Sequence, residues 1–302
     1  MATEELSFES GHDDLIHDTQ LDYFGSRLAT ASADKSIRIF DISGDQHTLL
    51  ADLKGHEGPV WSVAWSHPQY ESLLASCSYD GRVIIWKQEG PSWNRIFSSD
   101  SAQTSVNCVV WSPPEQGLML LACSSDNFVS VYTYSENQWK ECRFSAHLGG
   151  VNAGSWAPAS PQSVPRFVTA GNDNRLKMWR LSDDQWVEQK GVFDDDVLHH
   201  KDWVRDVAWA PSHGIPSHCI ASCSEDKTCI IWTEESSGQW RKSKVLEFKQ
   251  KVWRVSWSVM GNILAISQGD NKVSLWKESL DGDWEELTSI DDQRSNDPNR
   301  LQ

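Results

Sequence analysis

Apolar and polar positions along the chain fall into short strand-like runs broken by turn chemistry, and the runs recur. Six segments align: Leu28–Phe40, Leu74–Trp86, Leu121–Tyr132, Val168–Trp179, Ile220–Trp232 and Leu264–Trp276. Each starts on an apolar or small run, passes an aspartate, and closes on an apolar run that ends in an aromatic. The aspartates are Asp34, Asp80, Asp126, Asp173, Asp226 and Asp270, each six residues before its aromatic, at intervals of 46, 46, 47, 53 and 44. Apolar and β-branched runs around Asp followed by Gly, Asn or Lys predict two strands joined by a tight turn. Another strand precedes most pairs, as in Val60–Trp65, Val106–Trp111, Val151–Trp156, Val204–Trp209 and Val252–Trp257. A more polar fourth strand follows, opening at Trp93, Trp139, Trp186, Trp240 and Trp284. One four-stranded unit per repeat predicts a blade.

This register explains an unusual composition. Of 302 residues 17 are Trp and 4 are Met, and every tryptophan falls into one of four repeat positions. Trp65, Trp111, Trp156, Trp209 and Trp257 end the first strand; Trp86, Trp179, Trp232 and Trp276 end the third; five open the fourth; Trp61, Trp203 and Trp253 sit near the start of the first. His56, His147 and His200 lie 30, 32 and 32 residues before Trp86, Trp179 and Trp232, and His12 lies 28 before Phe40. Four strands, a leading His, a turn Asp and a closing aromatic make the WD-repeat blade. The predicted fold is therefore all-β: a WD-repeat β-propeller of six four-stranded blades. It follows a short N-terminal segment at 1–11 and occupies 12–289, with blades at about 12–54, 55–100, 101–145, 146–198, 199–248 and 249–289. Residues 290–302 lack periodicity and read as a disordered acidic tail.

In each blade the His, the turn Asp, a strand-two hydroxyl and the closing indole can form a buried hydrogen-bond chain, because such groups need partners when buried. The structural pinning set is His12, Asp34, His56, Asp80, Trp86, Asp126, His147, Asp173, Trp179, His200, Asp226, Trp232, Asp270 and Trp276. The third and sixth repeats lack a matching His, and the third closes on Tyr132. A hydrolase triad could be drawn through His, Asp and Ser, but several near-copies with none distinguished favour a structural role. His199-His200-Lys201-Asp202 could be drawn as a metal site, yet His200 is in the pinning register. No catalytic, cofactor or metal site is expected.

Lys plus Arg number 27 against 43 Asp plus Glu, a net charge of −16. That balance argues against direct nucleic-acid binding and docking on an anionic membrane. The densest acidic runs, Asp194–Asp196 and the tail from Asp281, read as solvated loops. No apolar run approaches the ~20 residues of a membrane helix. Residues 1–14 lack the basic and apolar regions of a signal peptide, so a cytoplasmic protein is expected. Seven cysteines without a C-x-x-C read as reduced buried thiols.

Each terminal blade supplies its own four strands: Leu15–Tyr23, Leu28–Ser32, Ser36–Ile42 and Thr48–Leu53 in the first, Val252–Ser258, Asn262–Ser267, Lys272–Lys277 and Trp284–Ser289 in the last. No strand is left over to clasp a ring. An open ring would expose two blade faces of roughly 320 Å² each. A partner filling the gap would then bury more than the ~1,000 Å² expected of a real interface. A closed six-bladed ring, or one sealed by residues 1–10, remains the alternative.

Long ordered strings also resemble one family. They are Leu15-Ile-His-Asp18, Leu21-Asp-Tyr-Phe-Gly25, Gly55-His-Glu-Gly-Pro-Val-Trp61, Ser155-Trp-Ala-Pro158, Asp202-Trp-Val-Arg-Asp-Val-Ala-Trp209, Gly261-Asn-Ile-Leu-Ala265 and Gly269-Asp-Asn-Lys-Val-Ser-Leu-Trp276. Over about 12–288 the chain resembles the Sec-thirteen family, the WD-repeat subunit shared by the COPII outer coat and the nuclear-pore Y-shaped scaffold. The resemblance implies an open propeller that accepts a three-stranded seventh blade in trans, beside its first and last blades. The implied partners are the rod-forming COPII outer-coat subunit and its pore-scaffold counterpart. It also implies a non-enzymatic scaffold role in ER-to-Golgi transport and at nuclear pores, and possible service in a vacuole- or lysosome-associated amino-acid-signalling complex. The implied locations are COPII vesicles, the ER membrane and the nuclear envelope. The candidate partner-blade residues are Leu15, Leu21, Leu28, Ile37 and Ile39 on the first blade, and Val255, Trp257, Leu264, Ile266, Val273 and Leu275 on the last. Strand alternation sends half of them toward a native neighbour instead. A generic WD peptide-binding adaptor is the runner-up. A cullin-ligase receptor is disfavoured because no Trp-Asp-x-Arg closes a third strand; Phe40-Asp-Ile-Ser43 has Ser in place of Arg.

Overall fold

A computed structural model describes residues 8–43, 47–160, 164–193, 199–211, 218–235 and 237–291. The acidic run at 194–196 and the expected tail beyond 291 lie outside the described residues, whereas Ile290 and Asp291, read from the sequence as the start of that tail, close the last strand. The six repeats are six antiparallel sheets, each with its strands in chain order. Blade 1 holds β1 (Ile16–Leu21), β2 (Arg27–Ser32), β3 (Ser36–Asp41) and β4 (Thr48–Lys54). Blade 2 holds β5 (Val60–Trp65), β6 (Leu73–Ser78), β7 (Val83–Glu89) and β8 (Ser92–Ser99). Blade 3 holds β9 (Val106–Trp111), β10 (Met119–Ser124), β11 (Phe128–Ser135) and β12 (Gln138–Ser145). In blade 4 the strands are β13 (Val151–Trp156), β14 (Arg166–Gly171), β15 (Leu176–Ser182) and β16 (Gln185–Glu188). Blade 5 comprises β17 (Val204–Trp209), β18 (Cys219–Ser224), β19 (Thr228–Glu234) and β20 (Trp240–Glu247). Blade 6 comprises β21 (Val252–Trp257), β22 (Leu264–Gln268), β23 (Lys272–Glu278) and β24 (Trp284–Asp291). Two single-turn 3-10 helices, Pro68–Tyr70 and Pro114–Gln116, are the helical pieces among the described residues, and no helix is long and apolar enough to cross a membrane.

The chain divides into two compact units, residues 1–145 with blades 1–3 and residues 146–302 with blades 4–6. Inside each unit the blades pack face to face. Ala29, Ala31, Ile37, Ile39 and Leu53 of blade 1 form one apolar cluster with Val60, Val63, Leu74, Ile84 and Trp86 of blade 2. The other face of blade 2 carries Ala75, Cys77, Val83 and Ile85, which meet Val106, Val109, Trp111 and Tyr132 of blade 3. In the second unit Val168, Ala170, Leu176 and Met178 meet Val204, Val207, Ile220, Ile230 and Trp232. Ala221, Cys223, Cys229, Ile231 and Leu246 of blade 5 then meet Val252, Val255, Leu264, Ile266 and Trp284 of blade 6. In blades 2 and 5 the period-two alternation therefore assigns one face to the preceding neighbour and one to the following.

Two local devices repeat. The residue after each turn aspartate has a left-handed backbone: Lys35, Gly81, Asn127, Asn174, Lys227 and Asn271. Gly and Asn adopt that conformation readily, whereas Lys35 and Lys227 are strained. Each inner strand also starts with a bulge, where the pairing slips by one residue, as between Val60 and Ser62 or Val204 and Asp206. The extra residue is His17, Trp61, Asn107, Asn152, Arg205 or Trp253, and a bulge re-aims its side chain out of the ladder. Trp61 donates its indole N–H to Ser105 Oγ of the next blade at 2.8 Å, and Asn152 donates to the Val204 carbonyl at 2.8 Å.

Candidate docking faces

The pinning network forms in four blades. His56 Nδ1–H donates to Asp80 at 3.1 Å, its Nε2 bonds the Ser76 hydroxyl at 2.8 Å, and the Trp86 indole donates to the same hydroxyl at 3.0 Å. Blade 4 repeats this with His147, Asp173, Thr169 and Trp179, and blade 5 with His200, Asp226, Ser222 and Trp232. In blade 1, His12 joins Asp34 at 2.7 Å and Thr30 at 2.8 Å, and Phe40 takes the Trp position without a donor. Burial alone would raise the Asp80 pKa. Hydrogen bonds from His56 and from the Glu57 and Arg82 backbone outweigh it and hold the carboxyl at about 2. Asp34, Asp173 and Asp226 are held low by the same balance, with His12, His147 and His200 as donors.

Blade 3 replaces the missing His with an arginine. Arg143 bonds both Asp126 and the Ser130 hydroxyl and lies over the Phe128 ring, while the Tyr132 hydroxyl donates to Ser99 at 2.9 Å. Sequence spacing missed Arg143 because it lies on the fourth strand, downstream of the aspartate rather than upstream. In blade 6 the Trp276 indole donates to Ser274 at 2.9 Å, but Asp270 is exposed and no His reaches it among the described residues. Asp270 therefore belongs to a turn without the pin. Both ring nitrogens of His200 are committed inside blade 5, so the His199–Asp202 run is not a metal centre. Among the described residues no group of three or more His, Cys, Asp or Glu is placed to hold a metal ion. Cys77, Cys123, Cys223 and Cys229 are buried thiols, and burial pushes those of Cys123 and Cys223 well up.

The outer face of blade 1, opposite the blade 2 contact, is largely bare. Leu15, Ile16 and Leu21 are 71%, 41% and 55% exposed and Leu28 is half-buried, whereas Val60 and Leu74, at the blade 2 registers of Ile16 and Leu28, are buried. The described part of the N-terminal segment, from Phe8, lies over the outer part of this face. Phe8 packs edge-on against Phe40 with centroids 5.2 Å apart, and Arg38 donates to the Ser10 carbonyl at 2.8 Å. The outer face of blade 6 is similarly uncovered. Val273 and Ile290 pair in register, with Ile290 56% exposed, while their blade 5 counterparts Cys229 and Leu246 are buried. Leu275 beside them is half-buried.

The candidate partner-blade residues thus separate by face. Leu21, Leu28, Val273 and Leu275 lie on the bare faces, and Leu15 is exposed just ahead of β1. Ile37 and Ile39 lie on the opposite face, in the cluster shared with blade 2. Val255, Leu264 and Ile266, with Trp257 alongside, pack against blade 5. The sequence lists apolar positions without saying which side of a terminal blade is the inner one; only the cluster partners settle it. Ile16 and Ile290 were missed, each standing at a strand end.

Ties between neighbouring blades reinforce the contrast. Three of the tryptophans that close inner strands donate the indole N–H to the fifth residue of the preceding inner strand: Trp65 to the Gln20 carbonyl at 3.0 Å, Trp111 to Ala64 at 2.9 Å and Trp257 to Ala208 at 3.1 Å; at Trp209 it is the backbone N–H that donates, to the Ser155 hydroxyl at 2.9 Å. Blade 1 has Leu21 where the others have this tryptophan, so it carries no such donor toward a preceding blade. Asp18 and Asp206, at the third position, each accept the backbone N–H of the next inner strand, from Val63 at 3.1 Å and Val255 at 3.0 Å.

Six WD domain, G-beta repeat matches cover residues 3–41, 47–87, 94–133, 139–180, 195–233 and 241–277. A protein transport protein sec13 of Emericella nidulans is 50% identical, across 97% of this chain and 100% of that protein. The chain belongs to the Sec-thirteen family of WD-repeat propellers. The Yarrowia lipolytica protein transport protein of the same name is 48% identical over 93% of this chain and 98% of its own length. The Dictyostelium discoideum homologue is 45% identical over 96% and 99%.

Proposed function

We propose that the chain is a non-enzymatic scaffold subunit of membrane coats, working in protein transport by accepting a partner's β-strands over the bare faces of blades 1 and 6. The observation that carries this reading is the uncovered apolar set, Leu15, Ile16, Leu21 and Leu28 on one blade and Val273, Leu275 and Ile290 on another. At the registers of Ile16, Leu28, Val273 and Leu275, the counterparts Val60 and Leu74 in blade 2 and Cys229 and Ile231 in blade 5 are buried. Exposed apolar patches of this kind mark interaction sites. A partner that supplies strands would bury them as each blade buries the next, a form of recognition built on sheet packing.

The partners are the rod-forming COPII outer-coat subunit and its nuclear-pore scaffold counterpart, with service in an amino-acid-signalling coat-like complex as a further use. The protein acts peripherally on COPII vesicles, at the ER membrane and at nuclear pores, and contacts neither lipid nor nucleic acid directly. The Trp-rich interblade packing suits a strut, since close-packed interiors transmit strain. Membership in a family whose relatives are named for protein transport supports the same reading. Catalysis has no place in it, because the His–Asp–hydroxyl sets are buried, nearly equivalent in four blades and saturated internally.

The test is affinity purification of the tagged chain from a gentle lysate. Stoichiometric recovery of a large helical-repeat coat subunit is expected. Recovery as a lone stable monomer contradicts the proposal and favours the peptide-binding adaptor.

A further inference from the structure

A second exposed cluster lies where the loops at one end of blade 5 meet the start of β21. Arg205, the bulge residue of β17, lies over the rings of Trp203 and Trp253, 5.0 and 5.1 Å from their centroids. Its guanidinium is fixed by Glu225, which also takes the Lys251 ammonium. The rings themselves are open to solvent: Trp203 is 44% and Trp253 40% exposed. Trp61, the blade 2 counterpart of Trp253, is half-buried and gives its indole N–H to Ser105. Neither Trp203 nor Trp253 gives its indole N–H to an acceptor among the described residues. Two large rings held by an arginine and left bare have the composition of a binding hot spot.

The same loops collect cations. Hydrogen bonds lace residues 199–203, 224–228 and 247–251 together: Lys201 N–H to Asp226 at 2.8 Å, Glu225 N–H to the Trp203 carbonyl at 3.1 Å, and Phe248 N–H to the Lys227 carbonyl at 2.9 Å. Lys201, Lys227 and Lys249 are exposed, and their ammonium groups meet no carboxylate among the described residues. The carboxylates of these loops are mostly turned to internal tasks. Asp226 is 6% exposed inside the blade 5 pin, Glu225 is 8% exposed between Arg205 and Lys251, and Asp202 caps the Trp203 N–H. Glu247 is the exposed one. In a chain of net charge −16, this end of blade 5 therefore presents positive charge, and acidic side chains complement it. The cations stand on the loops of a single blade, so the fit is to a few residues rather than to a long polyanion.

We propose that this end of blade 5 binds a short acidic peptide segment of a partner, with Asp or Glu side chains on Lys201, Lys227 and Lys249 and its backbone across Trp203 and Trp253. The ammonium groups steer and register the segment. The indole faces supply apolar contact, and their N–H groups donate to its carbonyls. The site uses none of the residues assigned to the bare faces of blades 1 and 6, so it does not depend on a partner blade docking there.

The probe is a fluorescein-labelled hexapeptide of alternating Glu and Asp, titrated with the full chain at low salt and read by anisotropy. Saturable binding is expected. The triple variant Lys201→Gln, Lys227→Gln, Lys249→Gln is expected to weaken it at least tenfold, and Trp253→Ala about fivefold. The triple variant should keep the melting temperature of the unmodified chain, because exposed side chains without partners contribute little to stability. Absence of saturable binding overturns the inference. So does equal binding of the matching Gln and Asn hexapeptide, or a triple variant within twofold of the unmodified chain. Equal binding of a single-stranded oligo(dT) hexamer overturns the assignment to a peptide. A tenfold gain in affinity on Asp194→Asn, Asp195→Asn, Asp196→Asn gives the site to the chain's own acidic run and overturns the assignment to a partner. The scaffold reading is tested separately, by recovery of the coat subunit.

Discussion

His56, His147 and His200 each join an aspartate to a hydroxyl that also receives an indole, so removing one member strands several buried groups. Leaving buried polar groups unpaired costs ~1–3 kcal/mol. Asp226→Ala should therefore lower stability by about 2 kcal/mol in urea unfolding, while Asp270→Ala, at a turn without a pin, should change it by less than about 0.5 kcal/mol. Equal losses would mean that the aspartates act through the turn alone. The pinned carboxyls also set the acid limit. With pKa values held below the ordinary range in the folded state, their contribution is complete above about pH 4 and is lost as pH falls toward about 2, the Asp80 value. Stability measured across that window should fall, and Asp80→Asn should flatten part of the fall. Lys227 pays for a left-handed backbone, so Lys227→Gly should raise stability by about 0.5 kcal/mol or more if the released strain exceeds the entropy that glycine adds to the unfolded chain. The pins in blades 2, 4 and 5 were legible in the sequence because His, Asp and Trp hold fixed spacings. Arg143 was not, because its strand follows the aspartate and its chemistry differs.

A blade has two apolar faces, and the consequence of a substitution depends on which one it meets. Ile39 is fully buried in the cluster with blade 2, so Ile39→Asp should cost more than about 3 kcal/mol by burying a charge in place of a large apolar side chain. Val273→Asp, on the bare face of blade 6, should shift the melting temperature by less than about 2 °C while abolishing partner binding. Strand identity and order followed from periodicity, and the observed strands agree with the expected ones to within two or three residues. Which face of a terminal blade is inner did not follow, because Ile37 and Leu28 carry the same apolar label in the sequence; packing against Val60 and Leu74 separates them. Inner-strand bulges were equally silent, since only a slip in pairing shows that Trp61 and Arg205 leave the ladder.

At the scale of the whole molecule, blades 1 and 6 each keep exposed apolar side chains among the described residues, in a chain of the Sec-thirteen family, whose relatives are named for protein transport. The net charge of −16 opposes self-association through like-charge repulsion. Repeats and family were legible because they are written six times along the chain; which apolar residues of the terminal blades stand exposed was not, because in the sequence they look like core. The most direct measurement is the affinity of the double variant Leu21→Asp, Val273→Asp for the purified rod-forming coat subunit, with thermal unfolding recorded on the same sample. The account predicts binding weakened by at least a hundredfold and a melting temperature within about 3 °C of the unmodified protein. Unchanged binding would contradict it, because the bare faces of blades 1 and 6 would then not be where the partner docks.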